Sequence, residues 1–414
     1  MGLNLYTKKF YLKTVTMINI LHVVNSMDPV LGGVSKAVDT IATSLNSAVV
    51  NNDVVSSDDE EKDFISSSNL NIYALGKVNN SWSYNKLLVP WLLQNAHKYN
   101  YVIIHGLWLH NAYAVRKVLK KINNKAVRFF VMPHGMLDPY FQSAKDRRLK
   151  SIRNWVYWKL VQGRIVNEAH GVLFTCEEEM ILARQSFSPY YPRAETVVGL
   201  GVESPPIYKE SMGVSFFDAC DFPKKRPYFL FLSRIHEKKG VDILLDAYEN
   251  VVTNKFQDRL KVPMLVIAGP GIETNYGQSI LERVNKSKLL KSNVFFPGML
   301  SGESKWGAFY NCEAFVLPSH QENFGIANVE ALACKKAILI SNKINIHQEV
   351  NFSGAGFVSD DTVSGTESNL ESWLALSNDE KIKKEDKAFL CFKEYFSIPS
   401  MISSWEGKVI NKRF

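Results

Sequence analysis

Residues 315–341 read FVLPSHQENFGIANVEALACKKAILIS, and this stretch decides the fold. It begins with the apolar run FVL, which Pro318 ends, and it closes with a second apolar run, AILI, at 337–340. Between the two runs, Val329 and Leu332 lie at helical spacing. A strand, a helix and a strand in so few residues predict a parallel crossover unit.

The loop that enters this helix carries a glycine between two carboxylates. Gly325 precedes the helix, and a helix N-terminus reached through a glycine offers unpaired N–H groups to an anion. Glu322 lies on the loop and Glu330 inside the helix, so the two carboxylates flank whatever anion binds there. An oxyanion at the amides and hydroxyl groups at the carboxylates suit a nucleotide sugar. The alternative is a solvated pair of carboxylates on an ordinary surface helix.

The sequence ENFGI at 322–326, followed by Glu330 and Ala331, resembles the E-x7-E signature of the retaining GT-B glycosyltransferases of the family 4, or group 1, type. In that family the first Glu lies at the donor sugar, the second holds the ribose hydroxyls, and the loop amides meet the sugar and the phosphate. The resemblance implies a sugar role for Glu322 and donor contacts at the following residues: Asn323, Phe324, Gly325, Ile326 and Glu330.

Apolar runs alternate with helical patterns along the whole chain. Such runs lie at 17–24, 101–105, 127–132, 171–175 and 195–198, and then at 228–233, 264–268, 293–296, 313–317 and 337–341. The alternation predicts an α/β protein with doubly wound parallel sheets and sites at the carboxyl ends of the strands. The resemblance implies the GT-B form of this class, in which two Rossmann-like domains face a central cleft.

The domain boundaries follow from composition. We predict a disordered extension at 1–16, two domains at 17–202 and 228–395, and a proline-containing linker at 203–227. The resemblance implies that the first domain lies on the acceptor side and that the second binds the nucleotide sugar. In the segment 396–414, Trp405 lies at helical spacing with apolar neighbours, and the resemblance implies a helix that returns to the first domain. Trp405 is either its anchor or a surface-packing aromatic.

Charged and glycine-containing loops follow several of the predicted strands. Arg234 and Lys239 follow 228–233 and can converge on a phosphate, and the resembled family clamps the donor diphosphate at these two places. His134, in the sequence PHGMLDP, matches the histidine that reaches the donor sugar in that family. The resemblance also implies donor contacts at four residues on other strand exits: Gly32, Gly33, Gly269 and Met299. The alternative for Gly32 and Gly33 is a tight turn without any contact to the donor.

The stretch from Lys145 to Arg164, KDRRLKSIRNWVYWKLVQGR, contains seven basic residues and one acidic residue, interleaved with Trp155, Tyr157 and Trp158. Basic side chains beside aromatic residues suit a helix that lies on an anionic membrane. A solvated basic helix with its aromatic residues in the core fits the pattern equally. The sequence leaves both interpretations open.

Composition limits the remaining function classes. Hydrophobic residues at 46% and charged residues at 22% are ordinary for a globular protein, and no apolar stretch approaches the ~20 residues of a membrane span. The five cysteines form no C-x-x-C pair, which favours reduced thiols in a cytoplasmic protein. The net charge of +8 suits phosphate-bearing or membrane-surface partners, and we predict no nucleic-acid partner.

The resemblance therefore implies a retaining, metal-independent glycosyltransferase that moves a sugar from a nucleotide-diphosphate sugar to a glycan or polyprenyl-linked acceptor in cell-surface polysaccharide synthesis. We expect no cofactor and no metal site, since no Asp-x-Asp motif occurs. The expected location is the cytoplasm, with peripheral contact at the inner face of the membrane. The alternative is a non-catalytic nucleotide-sugar sensor or scaffold on the same fold.

Overall fold

The computed structural model describes residues 17–124, 126–143, 148–220, 223, 226–254 and 262–411. The chain divides into two compact units. The first comprises Met1–Met132 with Glu168–His170, and the second comprises Pro133–Asn167 with Gly171–Phe414. The predicted extension at 1–16 lies outside the described residues.

The first unit is built on parallel strands with helices between them. Its strands run in the order β3-β2-β1-β4-β5. They are β1 (Ile18–Val23), β2 (Val50–Ser56), β3 (Asn71–Ala74), β4 (Tyr101–His105) and β5 (Arg128–Met132). Every residue of β4 is buried, as expected for a strand covered by helices on both faces.

The second unit contains a parallel pair, β6 (Gly171–Phe174) and β7 (Glu195–Val197), and a six-stranded parallel sheet. The sheet has the order β10-β9-β8-β11-β12-β13. Its strands are β8 (Tyr228–Leu232), β9 (Met264–Ala268), β10 (Val294–Gly298), β11 (Ala314–Leu317), β12 (Ile338–Ser341) and β13 (Gly356–Ser359).

Helices connect the strands throughout both units. Those of the first half are α1 (Gly33–Leu45), α2 (Asp63–Ser66), α3 (Leu88–Asn95), α4 (His110–Ile122), α5 (Tyr140–Ser143), α6 (Arg148–Tyr157), α7 (Gly163–Glu168) and α8 (Glu177–Ser186). Those of the second half are α9 (Glu210–Ala219), α10 (Val241–Asn254), α11 (Asn275–Lys286), α12 (Lys288–Asn293), α13 (Gly302–Asn311), α14 (Ile326–Ala333), α15 (His347–Ser353), α16 (Val363–Leu374), α17 (Asn378–Cys391) and α18 (Ile398–Trp405).

The crossover unit predicted from the opening stretch is confirmed. Strand β11 is fully buried, α14 follows it, and β12 returns parallel to β11 with Phe315 opposite Ile338. On its other side β11 pairs with β8, so the loops after β8 and β11 leave the sheet at the same edge. The doubly wound α/β class predicted from the alternation is confirmed as well.

Two elements differ from the sequence prediction. Strand β2 is seven residues long, whereas the apolar pattern indicates a short strand only at Val54 and Val55, because Asn51, Asn52 and Asp53 interrupt it. The interval 203–227, predicted as a linker, contains the ten-residue helix α9. The predicted boundaries at 202 and 227 stay predictions.

The C-terminal segment is helical, as its spacing predicts. Helix α18 continues into a π-helical turn at Glu406–Ile410. The Lys408 ammonium donates a hydrogen bond to the Val197 carbonyl at the end of β7, at 2.8 Å. Trp405 is fully buried, so it is an anchor of this segment and not a surface aromatic.

The five cysteines are free and buried. Burial is the main cause that raises the pKa of the Cys312 thiol to about 12, so this side chain is a neutral core group at physiological pH. The expectation of reduced thiols is consistent with this arrangement. Within the described ranges no helix combines the length and the apolar character that crossing a bilayer requires.

We predict that Gly307→Ala destabilises the protein, because helices α9 and α13 meet backbone to backbone. A Cβ at Gly307 would lie 1.9 Å from the Met212 carbonyl oxygen. Such overpacking costs about 1–3 kcal/mol, and each kcal/mol lowers the melting temperature of a domain of this size by roughly 2–4 °C. Differential scanning fluorimetry of both proteins measures the shift.

Gly407→Ala is the matched control for this substitution. A Cβ at Gly407 would meet no described atom within 4 Å, so its melting temperature should stay at the parent value or rise slightly. An unchanged melting temperature for Gly307→Ala would contradict the close contact of α9 with α13.

Candidate functional site

A charge pair lies where the loops after β8 and β11 leave the sheet. The Lys239 ammonium contacts the Glu322 carboxylate, with both side chains largely removed from solvent. Burial, together with the positive charges of Lys238 and Arg234, lowers the pKa of Lys239 to about 7. Arg234 and Lys239, the two cations predicted for phosphate binding, are therefore close enough for their charges to repel each other. Arg234 remains exposed.

Backbone hydrogen bonds hold the loop that carries Glu322. The His320 N–H donates to the Lys238 carbonyl at 2.9 Å, which ties this loop to the one that carries Lys239. The Glu322 N–H donates to the Lys343 carbonyl, and the Glu322 carbonyl accepts from the Asn345 N–H, each at 3.0 Å. The loops that follow the neighbouring strands β8, β11 and β12 are thus joined by main-chain hydrogen bonds. The backbone position of Glu322 therefore does not depend on side-chain rotamers.

Helix α14 presents its N-terminus beside this pair. Gly325 precedes the helix with a φ of +71°, a left-handed conformation that favours glycine. Phe324 is buried and packs edge to face on Phe396, with 5.6 Å between the ring centroids. Its side chain therefore belongs to the core, and what Phe324 and Ile326 can offer to an anion is their backbone.

Asn323 joins the motif loop to the segments around His134 and Thr175. Its amide nitrogen donates to Thr175 Oγ1 at 3.2 Å, and its Oδ1 accepts from Asn345 Nδ2 at 3.2 Å. A Cβ at Gly135 would lie 2.7 Å from the Asn323 side chain, so only a glycine fits at that point of the histidine–glycine loop.

Glu179 fixes the histidine–glycine loop from the other side, and the sequence analysis missed it. Its carboxylate accepts from the Gly135 N–H at 2.5 Å, from the Thr175 N–H at 2.8 Å and from Thr175 Oγ1 at 2.6 Å. Burial raises the pKa of Glu179, while these donors act in the opposite direction. No sequence signal distinguished it, because it is one of three consecutive glutamates in the first turn of α8.

His134 takes a left-handed backbone conformation, with a φ of +53°, immediately before Gly135. Burial lowers the pKa of its imidazole to about 4, so the ring is neutral at physiological pH. A neutral imidazole has one N–H donor and one acceptor nitrogen, which suits a sugar hydroxyl better than a phosphate.

The second carboxylate of the motif is already paired. Glu330 forms an ion pair with Lys305 at 2.6 Å, and the Lys305 ammonium also lies 4.7 Å from the Trp306 ring centroid. Lys305 lies on α13, far from the motif in sequence, and no signal in the sequence indicated it. Any ligand hydroxyl at Glu330 thus meets a carboxylate whose orientation Lys305 holds.

The remaining predicted donor residues of the second unit lie at the exits of β9 and β10. A Cβ at Gly269 would be 2.0 Å from the Ser233 carbonyl oxygen, and the Gly269 N–H donates to the Gly298 carbonyl at 2.8 Å. Met299 is 76% exposed, so its side chain is available for contact with a ligand. Both positions agree with the expected edge of the sheet.

Gly32 and Gly33 belong to the first unit. Gly32, with a φ of +94°, precedes α1, and Gly33 is the first residue of that helix. A Cβ at either residue would meet no described atom within 4 Å, so neither glycine is required by a close approach. Their predicted contact with the donor stays a prediction.

Within the basic and aromatic stretch at 145–164, some side chains are buried and others are exposed. Trp158 is buried and stacks on Phe187, with 4.8 Å between the ring centroids. On α6 and the π-helical turn that follows it, four apolar side chains are exposed: Ile152, Trp155, Val156 and Leu160. Lys145 and Arg147 lie outside the described residues. Each interpretation left open by the sequence therefore fits one part of the stretch.

The arrangement in the second unit can bind an oxyanion. Two cationic side chains and a helix N-terminus supply positive potential, and Glu322 with a neutral His134 supplies partners for hydroxyl groups. In the described part of the chain, no group of three His, Cys, Asp or Glu side chains is arranged to hold a metal ion. The arrangement in this unit suits a phosphate joined to a polyhydroxyl group.

Comparison with known sequences agrees with this chemistry. Residues 215–387 match the family model described as "Glycosyl transferases group 1". The chain is 29% identical over 189 residues to the O-antigen chain mannosyltransferase C of Escherichia coli, which is 43% of this chain and 45% of that protein. It is 27% identical over 130 residues to the serotype-specific mannosyltransferase WbdA of E. coli, or 31% of this chain and 15% of that protein. The matched segments thus span less than half of these relatives.

Solved structures share the fold. HepE of Anabaena, determined with UDP and glucose, superposes with a TM-score of 0.70 at 15% identity, covering 95% of this chain and all of that one. A glycosyltransferase from Rickettsia africae gives a TM-score of 0.71 at 15% identity, with 96% of this chain and 100% of that one covered. Together with the parallel sheets, these findings give the chain the GT-B fold, and its segment 215–387, which is less than half of the chain, is similar to the glycosyl transferases group 1.

Proposed function

We propose that this protein transfers a sugar from a nucleotide-diphosphate sugar to a glycan or polyprenyl-linked acceptor, with retention of configuration and without a divalent metal. The observation that carries the proposal is the placement of Arg234, Lys239 and Glu322 beside the N-terminus of α14. This is the set of groups that a diphosphate attached to a sugar requires. The group 1 family match supports the reaction class.

The chemistry begins at the leaving group. As the bond between the sugar and the diphosphate breaks, negative charge grows on the diphosphate oxygens. Arg234, Lys239 and the first N–H groups of α14 stabilise that charge by preorganised electrostatics. These side chains take the role that a divalent cation has in other transferases, as a charge clamp on the departing phosphates.

Glu322 has two partners during such a cycle. Its carboxylate pairs with Lys239 in this structure, and a bound diphosphate competes for the same ammonium group. Once Lys239 turns to the phosphate, Glu322 is released to accept hydrogen bonds from sugar hydroxyls. The neutral His134 adds a second hydroxyl partner, and Glu330, oriented by Lys305, suits the ribose. We assign no covalent nucleophile, and retention rests on the family resemblance.

The relatives suggest where the product goes. The two E. coli proteins are named for mannosyl transfer, one to the O-antigen chain and one with serotype specificity. We propose cell-surface polysaccharide synthesis as the role of this chain too, in the cytoplasm at the inner face of the membrane. The first donors to try in a thermal-shift panel are therefore GDP-mannose and UDP-glucose, followed by other nucleotide sugars.

We also propose peripheral contact with an anionic membrane through α6 and the π-helical turn. Exposed Trp155 and Leu160 form the apolar part of this surface, and exposed Arg153 and Lys159 flank them, with the Lys159 ammonium 5.6 Å from the Trp155 ring centroid. Apolar side chains beside basic ones match a lipid surface that is apolar below and negatively charged above. Such contact would bring a polyprenyl-linked acceptor to the enzyme.

Donor binding should weaken as the pH rises, because the Lys239 ammonium is needed at the diphosphate. With its pKa lowered to about 7, Lys239 is protonated at pH 6 and largely neutral at pH 8.5. We expect the Kd of the best donor from the panel to rise roughly thirtyfold between these pH values, in proportion to the loss of the protonated form. The phosphates of a nucleotide sugar do not titrate in this range, so isothermal titration calorimetry reports the protein group.

Lys239→Arg is the matched variant for the pH dependence. Arginine keeps its charge at every pH in the series, so the Kd of this variant should no longer vary with pH, whatever its absolute value. If the same slope persists in Lys239→Arg, another group controls donor binding and the assignment of Lys239 is wrong.

Arg234→Ala should lower kcat by about two to three powers of ten, the usual loss when one preorganised group is removed from developing charge. The Kd of the donor should rise by less, because the charge on the leaving group grows toward the transition state.

Glu330→Ala should mainly raise the donor KM, since the ribose does not change during transfer. Steady-state kinetics in excess chelator measures kcat and KM, and isothermal titration calorimetry measures the donor Kd.

Two matched controls accompany these kinetics. Arg193→Ala removes an exposed arginine elsewhere in the same unit and should leave kcat unchanged. Lys305→Met removes the partner of Glu330 and should raise the donor KM less than Glu330→Ala does. Turnover that needs a divalent metal and tolerates Arg234→Ala would refute the clamp. Binding losses without turnover for any donor and acceptor would favour the sensor alternative.

Membrane binding should depend on charge. We expect the parent protein to sediment with phosphatidylglycerol vesicles at low salt and to remain in solution at high salt, because salt screens the attraction. Changing Lys150, Arg153 and Lys159 to Glu should abolish sedimentation. The matched control changes the exposed Lys286 and Lys291 to Glu and should still sediment. Undiminished binding by the triple variant would show that this surface is only solvated.

A further inference from the structure

A continuous set of hydrogen bonds within the second unit leads from the loop that follows β12 to the histidine–glycine loop. The Asn345 amide nitrogen donates to Asn323 Oδ1 at 3.2 Å, and the Asn323 amide nitrogen donates to Thr175 Oγ1 at 3.2 Å. The Thr175 hydroxyl donates at 2.6 Å to the Glu179 carboxylate, which also accepts from the Gly135 N–H at 2.5 Å. We call these bonds the relay. Because Asn345, Thr175 and Glu179 are buried, water competes little for them.

The direction of each bond in the relay is fixed from the carboxylate end. An ionised carboxylate only accepts hydrogen bonds, so the Thr175 hydroxyl gives its proton to Glu179. Its other neighbour, Cys176 Sγ, is a weaker partner at 3.9 Å. The hydroxyl oxygen can then only accept, so the amide nitrogen of Asn323 faces Thr175 and its Oδ1 faces the amide nitrogen of Asn345. The relay therefore has a single arrangement of donors and acceptors.

The side chain of Asn323 is engaged by protein groups at both ends of its amide. It also packs on the histidine–glycine loop, because a Cβ at Gly135 would lie 2.7 Å from its atoms. The resemblance implies a contact between Asn323 and the donor. The geometry gives its side chain a different task, which is to connect the motif loop with the loop that carries His134.

The histidine–glycine loop needs such a connection because its backbone is unusual. His134 and Gly135 have successive φ values of +53° and +79°. Residues other than glycine rarely adopt this left-handed conformation, and it persists where the surroundings hold it in place. The Gly135 N–H directly follows the strained residue, and its bond to Glu179 fixes the backbone that carries the imidazole of His134.

We propose that Asn323, Thr175 and Glu179 are positioning residues, whose hydrogen bonds couple the motif loop to the histidine–glycine loop and thereby hold His134 in place for the sugar. They act through His134 and not by contact with the reacting atoms. The consequence for sugar transfer rests on the proposed function, whereas the coupling of the two loops does not.

The Gly135 amide reports on the relay directly. In protein labelled with carbonyl-¹³C histidine and ¹⁵N glycine, a carbonyl-selected NMR spectrum shows only glycines that follow a histidine. The sequence contains three such pairs, at 105–106, 134–135 and 170–171. His134→Asn removes the signal of Gly135 and so identifies it, since Asn tolerates the left-handed conformation. Gly106 and Gly171 are internal references.

Two variants break the relay at different bonds. In Glu179→Gln the one remaining oxygen serves the two donors of Thr175, which turns an NH₂ group toward the Gly135 N–H. Thr175→Val keeps the shape of the side chain and removes the hydroxyl that orients the carboxylate. In both variants we expect the amide of Gly135 to exchange its hydrogen roughly tenfold faster or more, the loss expected for a bond to a charged acceptor.

Two further variants are the controls. Thr175→Ser keeps the hydroxyl and should exchange at the parent rate. Thr366→Val removes another buried hydroxyl, which donates to the Thr362 carbonyl at 3.0 Å, and should leave Gly135 unchanged.

The exchange rates decide the proposal. A parent rate for Gly135 in Glu179→Gln or in Thr175→Val overturns it. Equal acceleration of Gly171 also overturns it, because it would indicate general destabilisation. Where one of the two variants does not fold, the other decides.

Transfer assays separate the relay from the proposed function. In a donor and acceptor pair with turnover, Thr175→Val should lower kcat by roughly ten- to hundredfold, the scale for a misplaced group near the chemistry, and Thr175→Ser should restore it. The Kd of the matching nucleoside diphosphate, which has no sugar for His134, should stay at the parent value. An unchanged kcat beside faster exchange of Gly135 would overturn the positioning role and leave the proposed function intact. Faster exchange in a protein without any turnover would support the coupling of the loops and refute the proposed function.

Discussion

The ion pair between Lys239 and Glu322 is the interaction on which the candidate site depends. It joins the exits of two neighbouring strands, β8 and β11, and backbone hydrogen bonds bring in a third exit, that of β12. A buried ion pair contributes little net stability, because desolvation offsets most of the attraction. Its value here is positional, since it keeps a cation and an anion at the edge of the sheet where a charged ligand can separate them.

Much of the second unit could be predicted because the apolar runs and helical patterns that indicate its elements lie within those elements. Strand β9 was predicted with its observed bounds, and the crossover from β11 through α14 to β12 follows from two apolar runs and one helical pattern. Helix α9 was missed because nearby prolines and Gly213 resemble a linker, and its stability comes from packing on α13, which lies about ninety residues away in sequence. Tertiary packing of this kind leaves no local signal.

The site shows the same division between local and distant information. Glu322, Lys239 and His134 stand in short motifs, so the residue types and their spacing indicate the chemistry. Glu179 and Lys305 stand in no such motif, and their roles arise only when the chain brings them to Gly135 and to Glu330. Motifs name the groups that meet a ligand, whereas the groups that orient them are set by the fold.

The backbone contact at Gly269 limits how this protein can diversify. Because the Ser233 carbonyl leaves no room for a Cβ at Gly269, the backbone at the exit of β9 is held by main-chain contacts that side-chain substitutions elsewhere do not alter. Changes of specificity must therefore accumulate at side chains that no such contact constrains, of which exposed Met299 is one. Under the proposed function, an engineer who seeks a different nucleotide would randomise Met299 and leave Gly269 fixed, because every variant in the library then keeps the same main-chain contacts at this edge of the sheet.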